Sequence, residues 1–258
     1  MLDPVDDHAH AMPAPRESRL LLQLSLLLWL LGLPGVWSMA WTVGQRLHGS
    51  TLPPWMLPVI GGLQSSLLLA AAVFFGAWVA PRIGLGAPLL SAWLNGQRMR
   101  PLLLALWLPA MGGGVLGAAW MVSLAQLVPD VLMASDPVQT LPLWTKLLYG
   151  GISEELLLRW GVMNMLLFAL WRLLQPHGGV PRAWLVAVAV LLAALFCALS
   201  SLPSAMALLG SLKPQVLHLV LWGNTVFGLL VGYIYWRYGL EAAIVAHMLA
   251  LALSHGLA

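Results

Sequence analysis

The chain has 258 residues, of which 60% are hydrophobic and 8% are Asp, Glu, Lys or Arg, against about 25% charged residues in an ordinary soluble domain. That composition excludes a water-soluble fold of this size, and a lone cysteine, Cys197, excludes a disulfide framework or a thiolate metal cage. The formal charge of +3 comes from basic residues scattered singly between apolar runs, a pattern that sets membrane topology and offers nucleic acid no phosphate-binding patch.

A helix that crosses a bilayer needs about 20 mostly apolar residues, because the hydrocarbon core is about 30 Å thick and each residue rises about 1.5 Å. Residues 1–19 open polar and acidic and are expected to form a cytoplasmic tail. Seven apolar stretches follow, at 20–44, 55–80, 101–128, 141–173, 183–202, 214–236 and 240–256. They predict an all-α, polytopic transmembrane helical bundle of about seven spans, divided into N-terminal helices over 20–139 and a second region over 140–258. The first run lies behind Arg16 and Arg19 but has no small-x-small cleavage site, so it is expected to stay as an anchor. Residues 82–100, with Arg82, Arg98, Arg100 and Trp93, predict a cytoplasmic loop carrying a short interfacial helix.

With the N-terminus inside, the inner segments hold Arg16, Arg19, Arg82, Arg98, Arg100, Arg172, Arg182 and Arg237, and the outer ones only Arg46 and Lys213. The bias favours that orientation. The outer loop then contains Asp130 and Asp136. Composition suggests a multi-pass protein of a bacterial inner membrane, and the bilayer itself is its first partner.

Ionisable groups inside hydrocarbon cost roughly 2.5–3.5 kcal/mol each on insertion scales, so the few that are present need a reason. The fourth span carries Gly150-Gly-Ile-Ser-Glu-Glu-Leu-Leu-Leu-Arg159, with Lys146 nearer its outer end. On a helix Glu155 and Arg159 share a face and can pair, whereas Glu154 points about 100° away and has no partner in its own helix. Two readings stay open: Glu154 is a general base, or all three residues form a buried ion cluster that fixes helix packing. His247 in the last span is either a catalytic donor or an interhelical hydrogen bond. His218 and His255 read as structural or interfacial, and Asn224 as a residue that glues helices.

These residues resemble the motifs of the CPBP intramembrane proteases, the CAAX-prenyl-protease and bacteriocin-processing (ABI) family. The first motif, Glu-Glu-x-x-x-Arg, is matched by Glu154, Glu155 and Arg159, and the last-helix histidine by His247. The resemblance covers roughly 140–257, and it makes the 140–258 region a CPBP-like protease core. It implies a hydrolase that uses water as its nucleophile, with Glu154 as the base, Glu155 and Arg159 holding the helix, and His247 stabilising the oxyanion. The implied substrate is a membrane protein or a lipid-modified peptide.

The sequence departs from the family at two places. The histidine expected after Phe196 is replaced: alignment on Leu202-Pro203 puts Ser201 there, and counting four from Phe196 puts Ser200 there. Leu251 stands four residues after His247, where the family often has Asn. The resemblance therefore implies a weakened or inactive endopeptidase, with Ser201, His218 and Asn224 as auxiliary candidates. The alternative is a noncatalytic protein that binds a membrane or lipid-modified partner in the former substrate cavity. A small transporter or channel is a third reading, for which no internal repeat speaks. A divalent metal would find only Glu154 and His247, where catalytic zinc takes about three protein ligands.

Overall fold

The computed structural model describes residues 15–45, 53–127, 141–176, 178–202 and 214–257. Every long element among them is a helix: α1 Pro15–Gly44, α2 Met56–Ile83, α3 Pro88–Leu94, α4 Arg100–Ala125, α5 Leu143–Leu174, α6 Ala183–Ser200, α7 Pro214–Tyr238 and α8 Leu240–Leu257. Six of them, α1, α2 and α4 to α7, are long and apolar enough to cross a membrane, and α8 is a shorter apolar helix. The protein is a polytopic helical membrane bundle. Leu67, Leu104, Leu108 and Trp222 are exposed on its outer face, which suits hydrocarbon and not water.

The seven expected stretches coincide with these helices, with shifted ends. Helix α1 begins at Pro15, within the stretch expected as a tail to residue 19, and residues 1–14 lie outside the described ones. Helix α2 continues through Pro81 to Ile83 and stops at Gly84, whose φ of 71° is left-handed and costs glycine nothing. The short helix expected in the 82–100 loop is α3, seven residues long with Trp93 exposed. Arg46, Lys213, Asp130 and Asp136 lie outside the described residues.

Helix α5 is the central element. Its first half packs on α1 and α8, and its second half on α2 and α6. Polar atoms stitch these contacts where no water is available to satisfy them. Ser153 Oγ donates to Gly32 O on α1 at 2.7 Å, and Trp160 Nε1 donates to Val73 O on α2 at 3.0 Å. Trp29 Nε1 donates to Ser66 O at 3.0 Å between α1 and α2. Helix α4 meets α7 and α8 through a glycine stripe, Gly113, Gly114 and Gly117, against which Ile234, Leu249, Phe227 and Ala250 pack. Any larger residue there would push the helices apart.

Helices α7 and α8 are joined by one residue, Gly239, at φ 90°. The first turn of α8 is then tied to the α2–α4 connection. Leu240 N donates to Gly86 O at 3.0 Å, and Glu241 Oε1 accepts from Leu90 N at 2.9 Å. These bonds fix the start of the helix that carries His247.

Candidate active site

Helix α5 departs from the α-helix over the residues that matter. Its backbone is π-helical over Lys146–Ser153 and again over Leu156–Met163, with Glu154 and Glu155 between the two segments. A π-helical turn is wider than an α-turn and is found mostly at functional sites, because it turns side chains away from their regular helical positions.

Glu155 is the hub of a buried ionic cluster. Its Oε1 lies 3.3 Å from Arg159 Nη1, as the four-residue spacing predicted, and 2.7 Å from His247 Nδ1 on α8. Relative exposures are 0% for Glu155, 3% for Arg159 and 5% for His247, so these polar groups depend on one another in place of water. Arg159 Nη2 also reaches Gly228 O on α7 at 3.4 Å. Phe227 holds the His247 ring edge-on, with centroids 4.7 Å apart and planes at 67°. Glu155 Oε2 is buried and has no hydrogen-bond partner among the described residues.

With Nδ1 engaged by Glu155, the other ring nitrogen of His247 is directed to the neighbourhood of Glu154. The two groups flank the space beside Gly150 that a side chain would otherwise occupy. A methyl group on Gly150 would lie 3.7 Å from Glu154 Oε2, 3.9 Å from His247 Nε2 and 3.0 Å from Leu251 Cδ1. Leu251, where an asparagine was expected, thus gives this gap an apolar wall. Glu154 itself is half-buried.

The α6 side of the site differs from the expectation. Ser200 is exposed and donates to Cys197 O at 2.8 Å, while Ser201 donates to Ala198 O at 2.7 Å and accepts from Asn224 Nδ2 at 3.0 Å. Asn224 is therefore a glue between α6 and α7, as its apolar setting suggested. The thiol of Cys197 donates to Glu154 Oε1 at 3.6 Å. Glu154, expected to lack a partner within its own helix, finds this one on another. His218 is exposed near the start of α7, and His255, also exposed, has its Nδ1 3.3 Å from Lys146 Nζ.

Among the described residues no group of three or more His, Cys, Asp and Glu is placed to hold a metal ion. Two larger cavities lie elsewhere. One of about 500 Å³ is bounded by Gly84–Pro88, Leu102 and Tyr235–Gly239, and one of about 350 Å³ lies between α1 and α2 and reaches Tyr149, the neighbour of Gly150.

A membrane-embedded bundle in which one buried and one half-buried glutamate meet a histidine beside a glycine is the class of protein this fold and site define. Residues 136–253 match the family model described as type II CAAX prenyl endopeptidase Rce1-like, a similarity in agreement with the CPBP motifs. Neither the curated proteins nor the solved structures contain a match to the chain.

Proposed function

We propose that the chain is an intramembrane endopeptidase that hydrolyses a peptide bond of a membrane-held protein or lipid-modified peptide. The observation that carries this reading is the convergence of Glu154 Oε2 and His247 Nε2 on the gap at Gly150. A water held there lies against a carboxylate on one side, and the carbonyl it attacks lies against an imidazole on the other.

In this mechanism Glu154 takes a proton from the water as the water oxygen bonds to the carbonyl carbon. The displaced electron pair moves onto the carbonyl oxygen, which His247 Nε2 stabilises by donating a hydrogen bond. For Nε2 to donate while Nδ1 donates to Glu155, the ring carries both protons. Glu155 faces that ring nitrogen, and Arg159 holds the Glu155 carboxylate in its orientation. When the carbon–nitrogen bond breaks, Glu154 returns the proton to the leaving amine.

The test is mass spectrometry of membrane proteins from cells with the chain, without it, and with Glu154→Gln. New termini that need Glu154 are the expected result. An identical set of termini in all three would leave the second reading, a noncatalytic protein that retains an intact membrane partner. That reading is favoured by one observation, the absence of a histidine from the segment of α6 that faces Glu154. For localisation we infer the inner membrane of a bacterium with a cytoplasmic N-terminus, supported by the arginine bias of the connecting segments.

A further inference from the structure

We propose that Cys197 is the positioning residue for Glu154, filling from α6 the place that the sequence comparison assigned to a serine. The inference rests on the proteolytic reading only for its consequence in catalysis; the contact itself is independent of it.

Three observations carry it. First, the thiol lies 3.6 Å from Glu154 Oε1, within hydrogen-bond range for sulfur, while the other carboxylate oxygen borders the Gly150 gap. The two oxygens of one carboxylate are thus divided between a holder and the reaction space. Second, Ser200 gives its hydroxyl hydrogen to Cys197 O, and Ser201 gives its own to Ala198 O. Third, that gap is also bordered by Nε2 of His247, a residue only 5% exposed whose other nitrogen is already bonded to Glu155. That nitrogen and the Glu154 carboxylate lie on the same side of Gly150, an arrangement that suits a small polar ligand between them, such as water or a peptide oxygen. The thiol is a weak donor, so it orients the carboxylate without quenching its ability to take a proton.

Cys197 is the chain's one cysteine, so the protein has a single S–H stretching band and its infrared position reports this hydrogen bond directly. In detergent-solubilised full-length protein, Glu154→Ala should move the band to the position of a free thiol. Glu154→Gln, which keeps the shape and serves if the alanine variant does not fold, should move it part of the way. In a cleavage assay Cys197→Ala should lower kcat about two- to tenfold with KM unchanged, and Cys197→Ser should restore it, because a hydroxyl donates to the same oxygen. A band unmoved by both Glu154 variants overturns the proposal whether or not the protein cleaves anything. A band that moves in a protein that cleaves nothing keeps the thiol contact and removes the protease reading. Equal loss of kcat in the Ala and Ser variants overturns the positioning role.

Discussion

His247 Nδ1 and Glu155 Oε1 are 2.7 Å apart, joining α8 to α5 across 92 residues of sequence through the same oxygen that Arg159 approaches at 3.3 Å. One carboxylate oxygen thereby serves two partners on different helical turns, and the site geometry depends on it.

The first prediction concerns that shared oxygen. Arg159→Ala leaves Glu155 buried with only His247 for compensation, and breaking a buried ion pair in this way costs about 3 to 5 kcal/mol. Arg98, by contrast, is exposed. Size-exclusion profiles in detergent should show a large loss of folded protein for Arg159→Ala and little for Arg98→Ala. Equal profiles would mean that the cluster does not support the fold.

The second concerns the gap. Gly150→Ala adds a methyl 3.7 Å from Glu154 Oε2 and 3.9 Å from His247 Nε2, where it would crowd the water of the proposed mechanism, yet the nearest atom, Leu251 Cδ1 at 3.0 Å, ends a flexible side chain that can give way. The variant should fold as well as the parent, and turnover in a reconstituted peptide-hydrolysis assay should fall about a hundredfold. Undiminished turnover would place the reacting water elsewhere.

A third prediction compares three histidine changes. Cys197→His puts an imidazole against Glu154, where it can share the water and protonate the leaving amine, and should raise hydrolysis by up to about 10². Ser201→His breaks the bond from Asn224 and should gain less. His218 is exposed, so His218→Ala should leave the rate unchanged. A larger gain at position 201 than at 197 would show that the serine, and not the cysteine, faces the base.

The fourth is topological. With α8 crossing in addition to the six longer helices, reporter fusions at residues 2 and 258 should give opposite readouts, the first cytoplasmic. Matching readouts would show that α8 does not cross.

What the sequence made legible is what depends on composition and local spacing. Apolar length located the helices, and the four-residue interval located the Glu155–Arg159 pair. The family motif added His247. Two features were hidden for physical reasons. The π-helical widening around Glu154 is a change in backbone hydrogen bonding that no side-chain pattern announces, since the same residues would also fit a regular helix. Cys197 sits in an apolar run and reads there as one more small hydrophobe, and only the packing of α6 on α5 turns it toward a carboxylate. The same holds for the Glu155–His247 bond, whose residues meet only because α8 lies along the first half of α5.

The fastening of α8 at its first turn acts as a ruler. Glu241 is held by Leu90 N, and His247 stands six residues further along the same helix, about 9 Å higher at the rise of a regular helix. Because Gly239 leaves no slack before that turn, the imidazole cannot slide along the membrane normal independently of the α3 segment. In the endopeptidase we propose, a bond to be cut would be presented at one fixed depth, nearer to the α7–α8 turn than to the far end of α8, and substrates would be sorted by where their susceptible bond lies relative to the bilayer surface before any side chain is read.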